Sequence, residues 1–154
     1  MESVVIFGAG GHAKVVIDII EDNLNYEILG IIDNFYNKKS TFYGYEILGD
    51  DEYAFKLISK TRTIKGVVAI GDNVIREKLV KKIESANSEF QFIKAIHCSS
   101  IISKTASIGA GTVVMAGVCI NADVRIGEHC ILNTQSSIDH DCCINNFVSL
   151  SPNA

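Results

Sequence analysis

The stretch 102–150, ISKTASIGAGTVVMAGVCINADVRIGEHCILNTQSSIDHDCCINNFVSL, carries an aliphatic residue at every sixth position: Ile102, Ile108, Val114, Ile120, Ile126, Leu132, Ile138, Ile144 and Leu150. A small or modest side chain stands two places before each later one: Ala106, Thr112, Val118, Val124, Cys130, Ser136, Cys142 and Val148. An α-helix repeats at about 3.6 residues and a strand at about 2, so a period of six belongs to neither. It fits a triangular coil. Each side is a short strand with one aliphatic pointing to the axis, and the small residue fits inside near the corner. Three hexapeptides complete a coil, and stacked coils bury a continuous aliphatic column. Chance alternation in a β-rich domain is the competing reading, and nine consecutive hits argue against it. The rungs amount to three coils, and no capping segment precedes Ala154. A solenoid end needs a cover over its apolar cross-section and unpaired backbone, so we expect a truncated form of a longer protein.

Ahead of this solenoid the periodicity differs. Ser3–Phe7, Glu27–Asp33, Ile64–Ile70 and Phe90–Ile96 read as short strands. The segments from His12 to Glu21, Asp50 to Ser59 and Asn73 to Ala86 read as helices, the last with Val74, Leu79, Val80 and Ile83 on one face and Arg76, Glu77, Lys81 and Lys82 elsewhere. Asp50 or Asp51 suits the N-cap of the second helix. Phe35–Gly44 is turn-rich and reads as a loop. Strands alternating with helices predict a parallel sheet covered on both faces. The expectation is a Rossmann-like α/β domain over 1–97 and a β-helix over 98–154.

Bulk properties narrow the function classes. The 154 residues are 47% hydrophobic and 21% charged, with a net charge of −4. No basic cluster suits phosphate neutralisation, so nucleic acid is not expected as a partner. No export signal or bilayer-length apolar run is visible, and the default is a cytoplasmic protein. Five cysteines, an odd number without an export signal, predict buried free thiols rather than a disulfide framework. Cys98, Cys130 and Cys142 lie near His97, His129 and His140, but no C-x-x-C pair supports zinc, and no metal is expected.

Three motifs could carry chemistry. Gly8-Ala9-Gly10-Gly11-His12-Ala13, between a strand and a helix, fits G-x-G-x-x-A. Its glycines permit a tight turn and a close approach of phosphate, and the helix N-terminus offers unpaired N–H groups. Asp33 ends the second strand, where a dinucleotide fold places a ribose-binding acid. A ligand-free tight turn is the plain alternative, and an NAD site is another. Against NAD, the α/β half lacks a second mononucleotide-binding half. The second motif is Val68-Ala69-Ile70-Gly71-Asp72-Asn73. Gly71 either lets a base or ribose approach the backbone or simply ends the strand before a capped helix. In the third, Asn133 to Cys142, Ile138 points inward and His140 falls near a corner, facing outward. Asp141 could hold one ring nitrogen and leave the other as an acceptor, which suits acyl transfer from a thioester. A solvated corner histidine is the alternative. His97 reads as part of the interdomain join, and His129 as part of a solvated turn.

Gly8-Ala9-Gly10-Gly11-His12, the strand ending Asp33-Asn34, Ala69-Ile70-Gly71-Asp72-Asn73, the hexapeptides and Ile138-Asp139-His140-Asp141-Cys142 occur in one order. That order resembles bacterial sugar O- and N-acetyltransferases of the sialic-acid O-acetyltransferase type, in particular those acting on UDP-linked 4-amino sugars. The resemblance covers essentially the whole chain. It implies a left-handed β-helix, an acetyl-CoA co-substrate and a homotrimer with active sites between neighbouring β-helices. It also implies that Gly10, Gly11 and His12 touch the nucleotide-sugar, that Asp33 and Asn34 hold its base or ribose, and that Gly71 lines the same pocket. His140 matches the family's general base, Asp141 the acid that raises its basicity, and Asn133 an asparagine near the acceptor sugar. Two departures stand out. Ser149 falls near a position where some relatives place a histidine contacting acetyl-CoA, and relatives continue for several more coils.

The leading expectation is therefore an acetyl-CoA-dependent acetyltransferase of a nucleotide-linked amino sugar. A non-catalytic nucleotide-sugar-binding module and an NAD(P)-dependent enzyme are the alternatives.

Overall fold

The computed structural model describes all 154 residues. The chain folds as two compact units, Met1–Phe92 and Ile93–Ala154. The first is a Rossmann-like α/β layer structure, and the second a left-handed parallel β-helix.

In the first unit, β1 (Glu2–Phe7), α1 (Gly11–Glu21), β2 (Tyr26–Ile32), β3 (Thr41–Phe42), β4 (Tyr45–Gly49), α2 (Asp51–Lys60), β5 (Lys65–Val68) and α3 (Asn73–Ala86) follow in chain order. The sheet order is β3-β4-β2-β1-β5. Every pairing is parallel except β3 with β4. Val4 to Phe7 are fully buried, as a central strand covered on both faces requires. Right-handed crossovers place α1 on one face and α2 with α3 on the other, and α2 packs against α3. Asp50 caps α2 by accepting the Tyr53 N–H at 2.9 Å, and Asp72 caps α3 by accepting the Ile75 N–H at 2.9 Å. The hairpin of β3 and β4 lies partly in the segment expected to be loop; β4 was not expected at all. Its five residues include three (Tyr45, Glu46 and Leu48) that are half-buried or exposed, so it shows no long apolar run.

The expected strand over Phe90–Ile96 is not one element. Phe92 makes a single bridge to Gly66. Ala95–Ile96, β6, instead pairs with Val113–Val114 and is the first rung of the solenoid. That rung lies ahead of the 97/98 join expected from the sequence.

The remaining rungs are β7 (Ile101–Ile102), β8 (Ser107–Ile108), β9 (Val113–Val114), β10 (Cys119–Ile120), β11 (Arg125–Ile126), β12 (Ile131–Leu132), β13 (Ser137–Ile138), β14 (Cys143–Ile144) and β15 (Ser149–Leu150). They form three faces: β7-β10-β13, β8-β11-β14 and β6-β9-β12-β15. Partners across a face are 18 residues apart, as in Ile102, Ile120 and Ile138. The expected aliphatics share one core, with Val114, Ile120, Ile126, Leu132 and Ile138 at its centre and Val118, Val124 and Cys130 filling the small positions. Thr112 is the polar exception that is satisfied: its Oγ1 donates to the Gly127 carbonyl at 2.9 Å and accepts the Cys130 N–H at 3.0 Å.

The corners repeat as regularly as the core. Gly111, Gly117, Asp123, His129, Gln135, Asp141, Phe147 and Asn153, six apart, all have φ between 54° and 72°. A left-handed residue turns the chain by the angle a triangular coil needs. Glycine takes it freely, and Asn and Asp more readily than most other residues. The N–H groups of the later corner residues donate one coil back, as from Asp141 to the Ala122 carbonyl at 3.0 Å.

Two expectations from the sequence fail here. His129 is not in a solvated turn. It is 2% exposed and stacks on Phe147 at 5.2 Å with the rings 7° from parallel, because corner residues 18 apart lie over one another. Gly111 lies below it, where a Cβ would collide with the imidazole. Nor are the thiols generally buried: all five are free, but only Cys130 is buried, while Cys98, Cys142 and Cys143 are exposed.

Candidate functional site

The first unit has a cleft at the carboxyl ends of its strands. Gly8 closes β1 with φ 108°, and a Cβ there would lie 2.9 Å from the Ala69 carbonyl oxygen. This close approach of two strand ends is why glycine occupies the position. Gly10 is the N-cap of α1 and supplies no side-chain cap. The first N–H groups of α1 are thus left for a ligand, at the positive end of the helix dipole. Around Gly10, Gly11 and Gly71 an added Cβ would meet nothing within 4 Å. These three glycines face open space.

Gly8 to His12, Asp33, Phe35, Ala69 to Gly71 and Ile75 line a cavity of about 440 Å³. A lobe of about 300 Å³ shares Gly8, Asp33, Phe35 and Ile75 and continues along Asn34, Asp51, Lys78 and Lys82. Two apolar side chains stand in solvent at this cleft: Phe35, 95% exposed, and Ile75, 54% exposed. The structure thus gathers Gly10, Gly11, His12, Asp33, Asn34 and Gly71 around one connected space.

Their side chains also have structural duties. Asp33 accepts the Ala9 N–H at 2.9 Å with one oxygen and the Phe35 N–H at 2.8 Å with the other. It pins the glycine loop to the end of β2 and still has lone pairs to offer. Asn34 exchanges hydrogen bonds with Asp51, donating to its carboxylate at 3.0 Å and accepting its N–H at 2.9 Å. Burial pushes the His12 imidazole down to about 4, with the Arg76 charge adding to the effect. The ring is therefore neutral at physiological pH, and its buried Nε2 has no partner in the protein. Arg76 was assigned from the sequence to the polar side of α3, yet it is 1% exposed. It donates to the carbonyls of Ile70 at 2.9 Å and Gly71 at 3.1 Å.

The second unit presents a histidine–carboxylate pair at the corner after β13. His140 Nδ1 lies 2.7 Å from Asp141 Oδ2. Nδ1–H is assigned as the donor because a carboxylate can only accept, and Nε2 is left with its lone pair. Asp139 accepts the His140 N–H at 2.8 Å and the Asn121 amide at 3.2 Å. The Asp141 hydrogen bond, the Asp139 charge and the Asp141 charge, in that order, raise the imidazole above its usual 6.5. The backbone N–H of His140 and then its ring hold Asp139 below the ordinary carboxylate range. Sequence reasoning gave no role to Asp139 or Asn121. The signal was present, because they stand 18 residues apart, one coil, but it can be read only once the coil length is known.

Asn133 and Ser149 lie elsewhere on the prism. Asn133 stands at the corner after β12, where its amide donates to the Leu150 carbonyl. Ser149 is on β15, opposite Ile131 of β12. The face made by β13 separates that corner from the one carrying His140.

The chain is similar to enzymes with a shared chemistry. It is 37% identical over 118 residues to UDP-N-acetylbacillosamine N-acetyltransferase of Bacillus subtilis, a match covering 75% of this chain and 52% of that protein. It is 27% identical over 157 residues to GDP-perosamine N-acetyltransferase of Escherichia coli O157:H7, covering 97% of this chain and 67% of that one. Among solved structures it superposes on a histidine variant of the Caulobacter crescentus GDP-perosamine N-acetyltransferase, bound to CoA and GDP-perosamine. The TM-score is 0.89 at 37% identity, over 99% of this chain and 70% of that one. The acetyltransferase domain of PglB from Neisseria gonorrhoeae, bound to acetyl coenzyme A, superposes with a TM-score of 0.87 at 30% identity. The chain spans about half the length of the Bacillus subtilis relative; its residues 3–83 match the PglD N-terminal domain, and the chain belongs to that family.

Proposed function

We propose that this chain carries the nucleotide-sugar cleft and the general base of an acetyl-CoA-dependent acetyltransferase whose acceptor is the amine of a nucleotide-linked amino sugar. The observation that carries the reading is the His140–Asp141 pair at a β-helix corner, in a chain that also has an uncapped glycine-loop cleft. In the cleft, the α1 N-terminus with Gly10, Gly11 and His12 receives the diphosphate. Asp33 and Asn34 face the ribose or base, Gly71 lines the wall, and Phe35 and Ile75 flank the ring.

In the transfer step, His140 Nε2 accepts a proton from the sugar nitrogen as that nitrogen bonds to the thioester carbonyl carbon. The C–S bond then breaks, and the imidazolium returns its proton to the departing CoA thiolate. The products are an acetamido sugar and free CoA. Asp141 keeps Nδ1 protonated and stabilises the imidazolium. Backbone N–H groups of an adjacent coil are the candidates to hold the oxyanion. Asn133 serves the acceptor sugar, and Ser149 the acetyl-CoA. The reading includes a cytoplasmic homotrimer in which the His140 corner meets a neighbouring subunit. No helix is long and apolar enough to cross a membrane.

The direct test supplies acetyl-CoA with UDP- and GDP-linked 4-amino sugars and follows thiol release and acetamide formation. Turnover with either supports the reading. Binding of the sugar nucleotide without acetyl transfer would leave a non-catalytic binding module, and binding of neither substrate would overturn both readings.

A further inference from the structure

Arg76 is the one charged residue in the buried set. It sits in the first turn of α3, and its bonds run to the turn that leaves β5. Nη1 donates to two successive carbonyls, Ile70 at 2.9 Å and Gly71 at 3.1 Å, while Nη2 donates to Asn73 Oδ1 at 2.6 Å. A planar guanidinium with fixed donor directions can set two adjacent peptide planes together; an ammonium cannot. In a trans peptide the carbonyl and the following N–H point in opposite directions. Anchoring the carbonyls of Ile70 and Gly71 therefore turns the N–H groups of Gly71 and Asp72 away from Arg76. Neither N–H donates to any acceptor in the protein. Gly71 also lines the cleft and has open space where a Cβ would be.

We propose that Arg76 is a positioning residue for the nucleotide-sugar: it fixes the peptides joining Ile70, Gly71 and Asp72 so that the N–H groups of Gly71 and Asp72 stand ready as donors to the ligand, which Arg76 itself does not touch. This rests on the reading of the cleft as a nucleotide-sugar site.

The test compares the full chain with Arg76→Lys and Arg76→Gln. UDP and GDP are titrated calorimetrically, and the Gly71 and Asp72 amides are followed by NMR. In the unsubstituted protein, both amide resonances should move on nucleotide binding. Arg76→Gln should weaken binding by about tenfold or more, as expected when two oriented hydrogen bonds are lost. Arg76→Lys, which can reach one carbonyl at a time, should fall between. In steady-state assays KM for the sugar nucleotide should rise, while kcat and the KM for acetyl-CoA change little. A purely structural role would instead lower kcat together with the melting temperature and leave both KM values unchanged. If the lysine variant binds as tightly as the unsubstituted protein, or the two amides ignore the ligand, the inference is overturned. If the unsubstituted protein binds neither nucleotide, the cleft assignment fails and the Arg76 role goes with it. Should Arg76→Gln not fold, the lysine variant and the amide shifts still decide.

Discussion

His140 and Asp141 are neighbours in sequence, yet their side chains meet with Nδ1 2.7 Å from Oδ2. Asp141 occupies the left-handed corner position with φ 61°, and the corner fold brings the two side chains together. Aspartate suits that position because its short polar side chain tolerates a left-handed backbone. One residue thus serves the coil's geometry and orients the imidazole.

The pH dependence of transfer follows from this pair. In the proposed transfer the neutral imidazole is the working form, so the rate should rise with pH through the His140 pKa. That pKa lies above 6.5 because the Asp141 hydrogen bond and the charges of Asp139 and Asp141 favour the protonated ring. In Asp141→Asn the rising limb should move to lower pH, and the plateau should fall about tenfold or more, since the base is weaker and less firmly held. A pH–rate profile of kcat/KM measures both. An unshifted limb with an unchanged plateau would contradict the role given to Asp141.

His12 should imprint a second pH dependence, on stability. Folded, it binds a proton only near pH 4, because burial and then Arg76 oppose the charged ring; unfolded, it binds one near 6.5. Between those values the unfolded chain holds more protons. Stability is therefore full above pH 6.5 and declines as pH falls towards 4, by on the order of 3 kcal/mol. Urea unfolding of His12→Gln across this window should show a flatter decline by that amount. Parallel curves for the two proteins would count against a buried neutral imidazole.

The core of the prism makes a sharper stability prediction. Ile120 is 1% exposed and pairs across its face with both Ile102 and Ile138. Ile120→Ala should cost about 2–5 kcal/mol. Its outward neighbour Cys119, changed to Ala, should cost under about 1 kcal/mol. Chemical denaturation of the two variants gives the comparison, and equal losses would mean the inward and outward positions have been misjudged.

The sequence exposed the solenoid because its period is unlike that of any other regular element, and one inward aliphatic per face is a demand the coil cannot relax. The glycine loop and its cleft were legible for a similar reason: Gly8, Gly10 and Gly11 mark a backbone that must pass close to something. Features that depend on the coil length were hidden. His129 read as solvated because it falls in a turn between rungs, whereas Gly111 and Phe147, one coil away on either side, lie against its ring. Asn121 and Asp139 likewise meet only through the register of 18. Arg76 was misplaced because an amphipathic reading of α3 sends every charge outward, and only the path of the Ile70–Gly71 turn shows what its guanidinium binds. The β4 strand escaped notice because it is short and partly exposed.

Turnover and nucleotide-sugar affinity measured side by side for His140→Ala decide whether His140 is the base of an acetyl transfer. In that variant kcat should fall about a hundredfold or more, with affinity for the sugar nucleotide essentially unchanged. Turnover retained at the unsubstituted level would contradict that role.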